Sequence, residues 1–185
     1  MASQTAYRLI TAREFLKIDF GDQKAELDNG VIRMMAGGTA RHARVQFNLL
    51  LALGNRLRGT GCTPYNSDMA IRTHNSSVRY PGVTVFCGHD DAGDDQAKAF
   101  DDPKIIVEVL SDGTARTDLR TKLPEYKALA SVDTIVLVDI ATERLHILQR
   151  TATNGWNEQA HADPVDLVLP TFDVVIPHEE IFARD

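Results

Sequence analysis

The sequence predicts one α/β domain over residues 1–185, and three observations lead to that prediction. The chain is 43% hydrophobic and 25% charged, which is typical of a globular protein with its own core. One segment, near residues 39–57, carries apolar residues at helical spacing. Several shorter segments have the alternating or continuous apolar pattern of strands, and no repeat or linker divides the chain.

A short helix and a hairpin are predicted first. Thr11 and Glu14 have the spacing of a capping box, so a helix should begin near Thr11 and run to about residue 17. Asn29-Gly30 lies between two short apolar segments, 25–27 and 31–34. An Asn-Gly pair in that setting is typical of a two-residue hairpin turn.

A long amphipathic helix should follow. Gly37-Gly38 interrupts the chain, and Thr39 is a suitable N-cap for the helix. Gly59 and Gly61 lie past its expected end. The apolar residues that should face the core are Val45, Leu49, Ala52, Leu53 and Leu57.

The middle of the chain predicts three strands and an acidic loop. Segments 69–72 and 77–87 should be strands joined by a polar turn. Segment 88–102 is rich in aspartate and long enough to be a functional loop. Segment 104–110 is almost wholly apolar, which predicts a strand covered on both faces.

The last third predicts a helix and a series of strands. A helical pattern runs from about 117 to 130, and Pro124 should kink or break it. The remaining predicted elements are strands at 134–139 and 145–150, a strand beginning near Trp156 after Asn154-Gly155, and a short strand with a final helical turn between 165 and 185.

Composition limits the location and the partners. No apolar run approaches the length of a membrane span, and the N-terminus lacks a basic region followed by an apolar stretch. We therefore expect a cytoplasmic protein without a membrane partner, in which Cys62 and Cys87 are reduced thiols. The net charge of −6 argues against sequence-independent nucleic-acid binding. A local groove could still be positive, with Arg41, Arg44, Arg56 and Arg58 as candidates.

Glu108 is the most informative single residue. It is the lone acid in the apolar run 104–110, and an ionised carboxylate buried there requires a cation. That cation is either a metal ion, in which case Glu108 is a ligand, or a basic side chain, in which case Glu108 is structural. Lys122, fourteen residues later, is a candidate partner.

Lys122 shares one helical face with Asp118 and Tyr126, because residues four apart lie on the same stripe. An exposed Asp118–Lys122 ion pair is the alternative interpretation, since that spacing is common on helix surfaces. The sequence has no nucleophile elbow, phosphate-binding P-loop, dinucleotide fingerprint or zinc-protease motif.

The residues Tyr80-Pro81-Gly82-Val83, Glu108-Val109-Leu110-Ser111 and Asp118 through Lys122 to Tyr126 together resemble the Uma-type family of restriction endonucleases. That family belongs to the PD-(D/E)XK nuclease superfamily. The resemblance implies a restriction-endonuclease-like α/β core with a mixed central β-sheet flanked by helices. It also implies a DNA endonuclease that uses Mg²⁺ or Mn²⁺.

When the family's residue roles are assigned to the matching positions of this sequence, the resemblance implies that Glu108 binds the metal. It also implies that Lys122 stabilises the attacking water or the transition-state charge. Glu26, in the hairpin, and His42, near the start of the long helix, match positions where the family has an acid and a histidine. These two residues are supporting candidates, together with Asp118 and Tyr126. A homodimer would suit an enzyme that cuts a duplex.

Gly82 is the departure from the family pattern, because it stands where the family has a metal-binding aspartate. With one carboxylate missing, Mg²⁺ binding should be weak. Glu26 or Asp68 could substitute for that ligand. The alternative to an impaired endonuclease is an inactive nuclease fold that serves as a binding or assembly module. Either way, we expect Glu108 on a central strand beside the 77–87 strand, with Gly82 within one side chain's reach.

Overall fold

The computed structural model describes residues 8–89, 94–111 and 118–184. Within those ranges the α-helices are α1 (Ala12–Phe15), α2 (Ala40–Leu57), α3 (Leu123–Ala128) and α4 (His178–Ile181). The strands are β1 (Ala25–Asp28), β2 (Val31–Met34), β3 (Cys62–Asn66), β4 (Ala70–His74), β5 (Ser77–Arg79), β6 (Val83–Cys87), β7 (Ala99–Phe100), β8 (Ile105–Leu110), β9 (Thr134–Asp139), β10 (Arg144–Arg150), β11 (Trp156–Ala160), β12 (Leu167–Leu169) and β13 (Val174–Ile176).

A six-stranded mixed sheet forms the centre, in the order β11-β10-β9-β8-β6-β3. Strand β8 pairs with β9 in parallel and with β6 in antiparallel orientation. The strand that carries Glu108 is therefore an interior strand, as the unbroken apolar run predicts. Its side chains alternate between the two faces of the sheet, so Val107 and Val109 pack with α2 whereas Ile106 packs with Tyr126 of α3.

Helix α2 covers one face of this sheet and confirms the predicted long helix. The Thr39 side chain caps it by accepting a hydrogen bond from the backbone N–H of His42. Its apolar stripe, which includes Val45, Leu49 and Leu53, is buried against the sheet. The helix therefore has a fixed position beside the end of β8.

A five-stranded mixed sheet lies beyond the other face, in the order β2-β1-β5-β4-β7. Its first two strands form the predicted hairpin, and Asn29 and Gly30 both have left-handed φ angles, 48° and 82°. Asparagine and glycine tolerate that conformation, which a tight two-residue turn requires. The predicted capping box is also present in α1, between Thr11 and Glu14.

The predicted strand 77–87 is in fact two strands in two different sheets. Strand β5 pairs with β1 and β4, whereas β6 pairs with β3 and β8. The chain crosses between the sheets at residues 80–82, where Pro81 lacks the N–H that a continuous ladder would need. This crossing brings the Pro81-Gly82 pair to the boundary between the sheets.

Three further elements were not predicted from the sequence. They are β3, the short strand β7 within the predicted acidic loop, and a second strand near the C-terminus, since β12 and β13 form a hairpin where one short strand was predicted. Each is short, and β3 contains Pro64. Of the predicted acidic loop, residues 90–93 lie outside the described part of the chain.

The predicted helix near 117–130 is interrupted, as Pro124 led us to expect. The backbone forms a π-helical turn at Asp118–Lys122 and then the short helix α3. Pro124 lies in the first turn of α3, where proline is tolerated because the N–H groups there have no helical partner. The π-helical turn ends at Lys122, directly before the helix that carries Tyr126. Among the described residues, no helix has the combination of length and apolar character that crossing a membrane requires.

The prediction of two reduced thiols is wrong, because Cys62 and Cys87 form a disulfide. The two residues are direct partners in the β3–β6 register, and the N–H of Gly88 donates to the carbonyl of Gly61. That bond marks Cys62 and Cys87 as a non-hydrogen-bonded pair, the position at which opposite side chains approach most closely. A separation of 25 residues in sequence does not reveal this pairing.

The same register protects the edge of the central sheet. Pro64 lies opposite Val85, two residues along from the disulfide pair, so its nitrogen faces away from β6. An edge position without an N–H donor cannot complete a ladder with another strand. The β3 edge is therefore poorly suited to pairing with a second chain.

Reduction of the disulfide should lower stability. Closing a loop of this size stabilises a folded chain by about 2–4 kcal/mol, so dithiothreitol should reduce the free energy of unfolding in urea by that amount. The double variant Cys62→Ser/Cys87→Ser is the control and should be insensitive to the reductant. Equal stability of the wild-type protein with and without dithiothreitol would contradict the disulfide.

Candidate active site

Glu108 projects from β8 toward α3 and is only 6% exposed. The hydroxyl of Tyr126 donates a hydrogen bond of 2.6 Å to its Oε1 atom. The ammonium of Lys122 lies 3.4 Å from the same oxygen. Of the two kinds of cation that the sequence left open, a basic side chain, Lys122, is the one that lies beside Glu108 in this structure.

Lys122 has a second carboxylate partner, Glu26 of β1. Its Nζ atom lies 3.0 Å from Glu26 Oε1, and Lys122 and Glu26 are 8% and 7% exposed. One ammonium therefore bridges acids from two different sheets. Removing one partner from a buried ion pair is strongly destabilising, because it leaves the other charge uncompensated.

Tyr126 lies four residues after Lys122, and both side chains reach Glu108, as their shared spacing predicts. Burial raises the pKa of the Tyr126 phenol well above its ordinary value, and the negative charges of Glu108 and Glu26 raise it further. The hydroxyl therefore keeps its proton and acts as a donor that orients the Glu108 carboxylate.

The crossing segment at residues 80–82 lies beside these acids. The backbone N–H of Tyr80 donates to Glu26 Oε1 at 3.1 Å. Val83 pairs with Val107, and continuing that antiparallel register places Gly82 across from Glu108. The expectation that residue 82 and Glu108 are neighbours on one sheet agrees with this register.

Gly82 contributes no ligand atom from a side chain, and the space around it is occupied. A Cβ atom at this position would lie 2.8 Å from Gln46 Nε2 and 3.3 Å from the carbonyl oxygen of Val107. The φ angle of Gly82 is not left-handed, so the backbone itself would accept another residue. Among the described residues, no group of three His, Cys, Asp or Glu side chains is arranged to hold a metal ion.

A second buried network adjoins the first and was missed by sequence reasoning. Arg79 is 1% exposed and donates to both oxygens of Glu125, at 2.9 and 2.7 Å. It also donates to Asp28 at 3.0 Å and lies 3.5 Å from Glu26. Burial lowers the pKa of the Arg79 guanidinium, but the Glu125 and Asp28 carboxylates more than reverse this, so the arginine stays charged. In the sequence, the only indication of this network was the position of Arg79, three residues before Gly82.

The supporting candidate His42 and the possible substitute ligand Asp68 lie apart from the Lys122 bridge. His42 contacts the end of β8 through its Nε2 atom, 2.9 Å from the carbonyl oxygen of Val109. Asp68, proposed as a substitute ligand, forms an ion pair with Lys24 at 2.6 Å and has a side chain 68% exposed. The structure therefore does not bring Asp68 to Glu108, because it lies in a surface turn. The side chain of Asp118 lies outside the described part of the chain.

The arginines proposed for a positive groove divide into two pairs. Arg41 and Arg56 form ion pairs with Glu143 and Glu180 at 2.7 and 2.6 Å. Arg44, on α2, and Arg58, directly after its end, are exposed and have no ion pair among the described residues. The local positive charge on this helix is therefore smaller than the sequence indicated.

Replacing Glu108 with glutamine should destabilise the fold, because the buried Lys122 ammonium would lose a carboxylate partner. We expect a loss of about 2 kcal/mol in urea unfolding at neutral pH, since Glu26 continues to compensate the ammonium. The matched control is Asp68→Asn, which removes an exposed pair and should change stability by less than about 0.5 kcal/mol. A Glu108→Gln protein as stable as wild type would show that the buried bridge contributes nothing.

Replacing Tyr126 with phenylalanine should change how stability depends on pH. At neutral pH the variant should lose about 1 kcal/mol, because Glu108 loses a donor. Since the folded pKa of Tyr126 is raised, its contribution is complete below the unfolded pKa and falls as the pH rises above that value. The difference between wild type and variant should therefore narrow above about pH 10 in urea unfolding. A constant difference across that range would contradict a buried, protonated phenol.

The chain resembles several known proteins. The Uma2 family, described as "putative restriction endonuclease", matches residues 12–176. Two uncharacterized proteins of Synechocystis sp. (strain ATCC 27184 / PCC 6803 / Kazusa) are also similar. Protein sll1609 is 28% identical over 151 residues, which cover 80% of this chain and 85% of the relative. Protein slr1290 is 27% identical over 135 residues, which cover 72% and 70%.

One solved structure shows the same fold. It is the crystal structure of a putative nuclease belonging to DUF820 from Anabaena variabilis ATCC 29413. Its TM-score is 0.75 at 16% identity, and the match covers 94% of this chain and 98% of the other. The predicted restriction-endonuclease-like α/β fold is thereby confirmed. Because the family match extends over most of the sequence, the chain belongs to the Uma2 family.

Proposed function

We propose that this protein is a divalent-cation-dependent DNA endonuclease of the Uma type whose activity is strongly impaired by Gly82. The observation that carries the proposal is the convergence of Glu26, Glu108 and Lys122. They come from two sheets and a helical turn, yet their charged atoms meet at one buried point. Paired acids with a lysine are a suitable set for phosphodiester hydrolysis, and the family match supports that chemistry.

The donor set fits Mg²⁺ or Mn²⁺ only partly. Two carboxylates already converge on one cation, the Lys122 ammonium, and carboxylate oxygens are the ligands these ions prefer. Glu108 and Glu26 would hold the ion, which would neutralise phosphate charge and lower the pKa of a bound water. Gly82 adds no carboxylate, so affinity should be weak.

The chain's own residues have separate tasks in this scheme. Lys122 is a positive charge that would stabilise the negative charge developing on the phosphoryl oxygens. Tyr126 holds the Glu108 carboxylate in one orientation through its hydrogen bond. Because Lys122 and a divalent ion compete for the same two carboxylates, the lysine would shift toward the substrate phosphate when the ion binds. DNA as the substrate and a homodimer as the acting form are part of the proposal.

The second candidate function is a binding or assembly module without catalysis. Its specific support, besides Gly82, is an apolar groove of about 760 Å³ between α2 and β3. Phe47 and Leu51 line this groove and are 60% and 50% exposed. Exposed apolar surface of this kind is typical of interaction sites.

Plasmid relaxation with Mg²⁺ or Mn²⁺ tests the proposal. The wild-type protein should nick DNA at or near background, and Gly82→Asp should nick it measurably, since the variant regains a charged ligand beside Glu108. The Gln46 amide must move to admit the new side chain, which the flexible end of a glutamine allows. Gly82→Asn is the matched control, with nearly the same shape and no charge, and it should remain near background.

Three results would overturn this account. If the wild-type protein cleaves DNA and loses that activity on Glu108→Ala, then Gly82 does not impair the site. If Gly82→Asp binds Mn²⁺ but cleaves no DNA, or if its cleavage survives Glu108→Ala, then the assignment of the site to endonuclease chemistry is wrong. The binding-module function would be favoured if cleavage is absent throughout.

A further inference from the structure

Gln46 occupies the space that a side chain at position 82 would enter. Its Nε2 atom lies 2.8 Å, and its Cγ atom 3.3 Å, from the place where a Cβ of residue 82 would be. An aspartate's oxygens lie two bonds beyond its Cβ. The amide of Gln46 is therefore in the region where the family's aspartate would place its carboxylate.

The backbone under Gln46 is held firmly in place. One turn earlier on α2, His42 contacts the carbonyl oxygen at the end of β8. The neighbouring residues Val45 and Leu49 are buried against the central sheet. Gln46 therefore faces the strand that carries Glu108 from a helix that cannot easily move away.

The Gln46 amide has no hydrogen-bond partner among the residues that the structure describes. The side chain is half-buried, between α2 and the crossing segment that contains Gly82. An amide oxygen is a ligand for hard divalent cations, as carboxylate oxygens are. A half-turn about the last side-chain bond exchanges the oxygen and nitrogen positions, so either atom can face the site.

We propose that Gln46 supplies the ligand that Gly82 lacks, so that an amide oxygen from α2 completes the cation site of Glu26 and Glu108. The inference rests on the divalent-cation site in the proposed function, and it adds a residue from a different element of the fold. An amide carries no charge, so the site holds a cation more weakly than one with three carboxylates.

Titration calorimetry with Mn²⁺ tests this ligand without relying on cleavage. Gln46→Ala should weaken Mn²⁺ binding about tenfold, and Gln46→Glu should strengthen it about tenfold, because the latter adds a charge at the same place. Asn55→Ala is the matched control, since it removes an exposed amide from the same helix away from Glu108. Thermal melts should show that all variants remain folded.

A double-mutant cycle that combines Gln46→Ala with Gly82→Asp tests whether residues 46 and 82 can supply the same ligand. If Gln46 takes the place of a side chain at 82, then Gln46→Ala should weaken Mn²⁺ binding only when residue 82 is glycine. In the Gly82→Asp background the same change should have no effect or should improve binding, because it removes the contact at 2.8 Å.

The outcomes separate this inference from the proposed function. If Glu26→Gln and Glu108→Gln both weaken Mn²⁺ binding but Gln46→Ala and Gln46→Glu do not change it, Gln46 is not a ligand and the cation site stands. An equal loss from Gln46→Ala in both backgrounds would also overturn the inference. If neither acid variant alters Mn²⁺ binding, the cation site itself is wrong, and the inference fails with it.

Discussion

Two buried carboxylates, Glu26 and Glu108, share the single ammonium of Lys122. These acids belong to different sheets, and the lysine ends the π-helical turn that leads into α3. Buried charges persist only when they are compensated, so the positions of the two strands and the turn depend on one another. The crossing segment at residues 80–82 is held against the same acids through the N–H of Tyr80. The site is therefore where the two sheets are joined.

This arrangement explains how one set of residues can serve both the fold and the proposed chemistry. A lysine between two acids stabilises the protein when no metal is bound, and the same acids are suitable oxygen ligands. The competition between the Lys122 ammonium and a divalent ion for these acids depends on a third ligand position. There Gly82 contributes no charge, and the Gln46 amide fills the space. A full carboxylate there would favour a divalent ion over the lysine. With a neutral amide, the lysine bridge is favoured.

The sequence predicted the parts of the site that depend on local pattern. An acid within an apolar run indicated that Glu108 is buried, and the four-residue spacing of Lys122 and Tyr126 indicated that both reach one side. The contact between Glu26 and Lys122 depends on the packing of two sheets, and here the family resemblance supplied the residue. The Cys62–Cys87 disulfide and the position of Gln46 follow from strand register and helix docking, which no local pattern encodes.

A crystal soaked in Mn²⁺, with anomalous diffraction recorded for the metal, tests the central claim most directly. We expect one anomalous peak in contact with the carboxylates of Glu26 and Glu108 and with the side-chain oxygen of Gln46. The Lys122 ammonium should be displaced from at least one acid. A crystal with no peak at this site in concentrated Mn²⁺, and with Lys122 still bridging both carboxylates, would contradict the account and identify the cluster as purely structural.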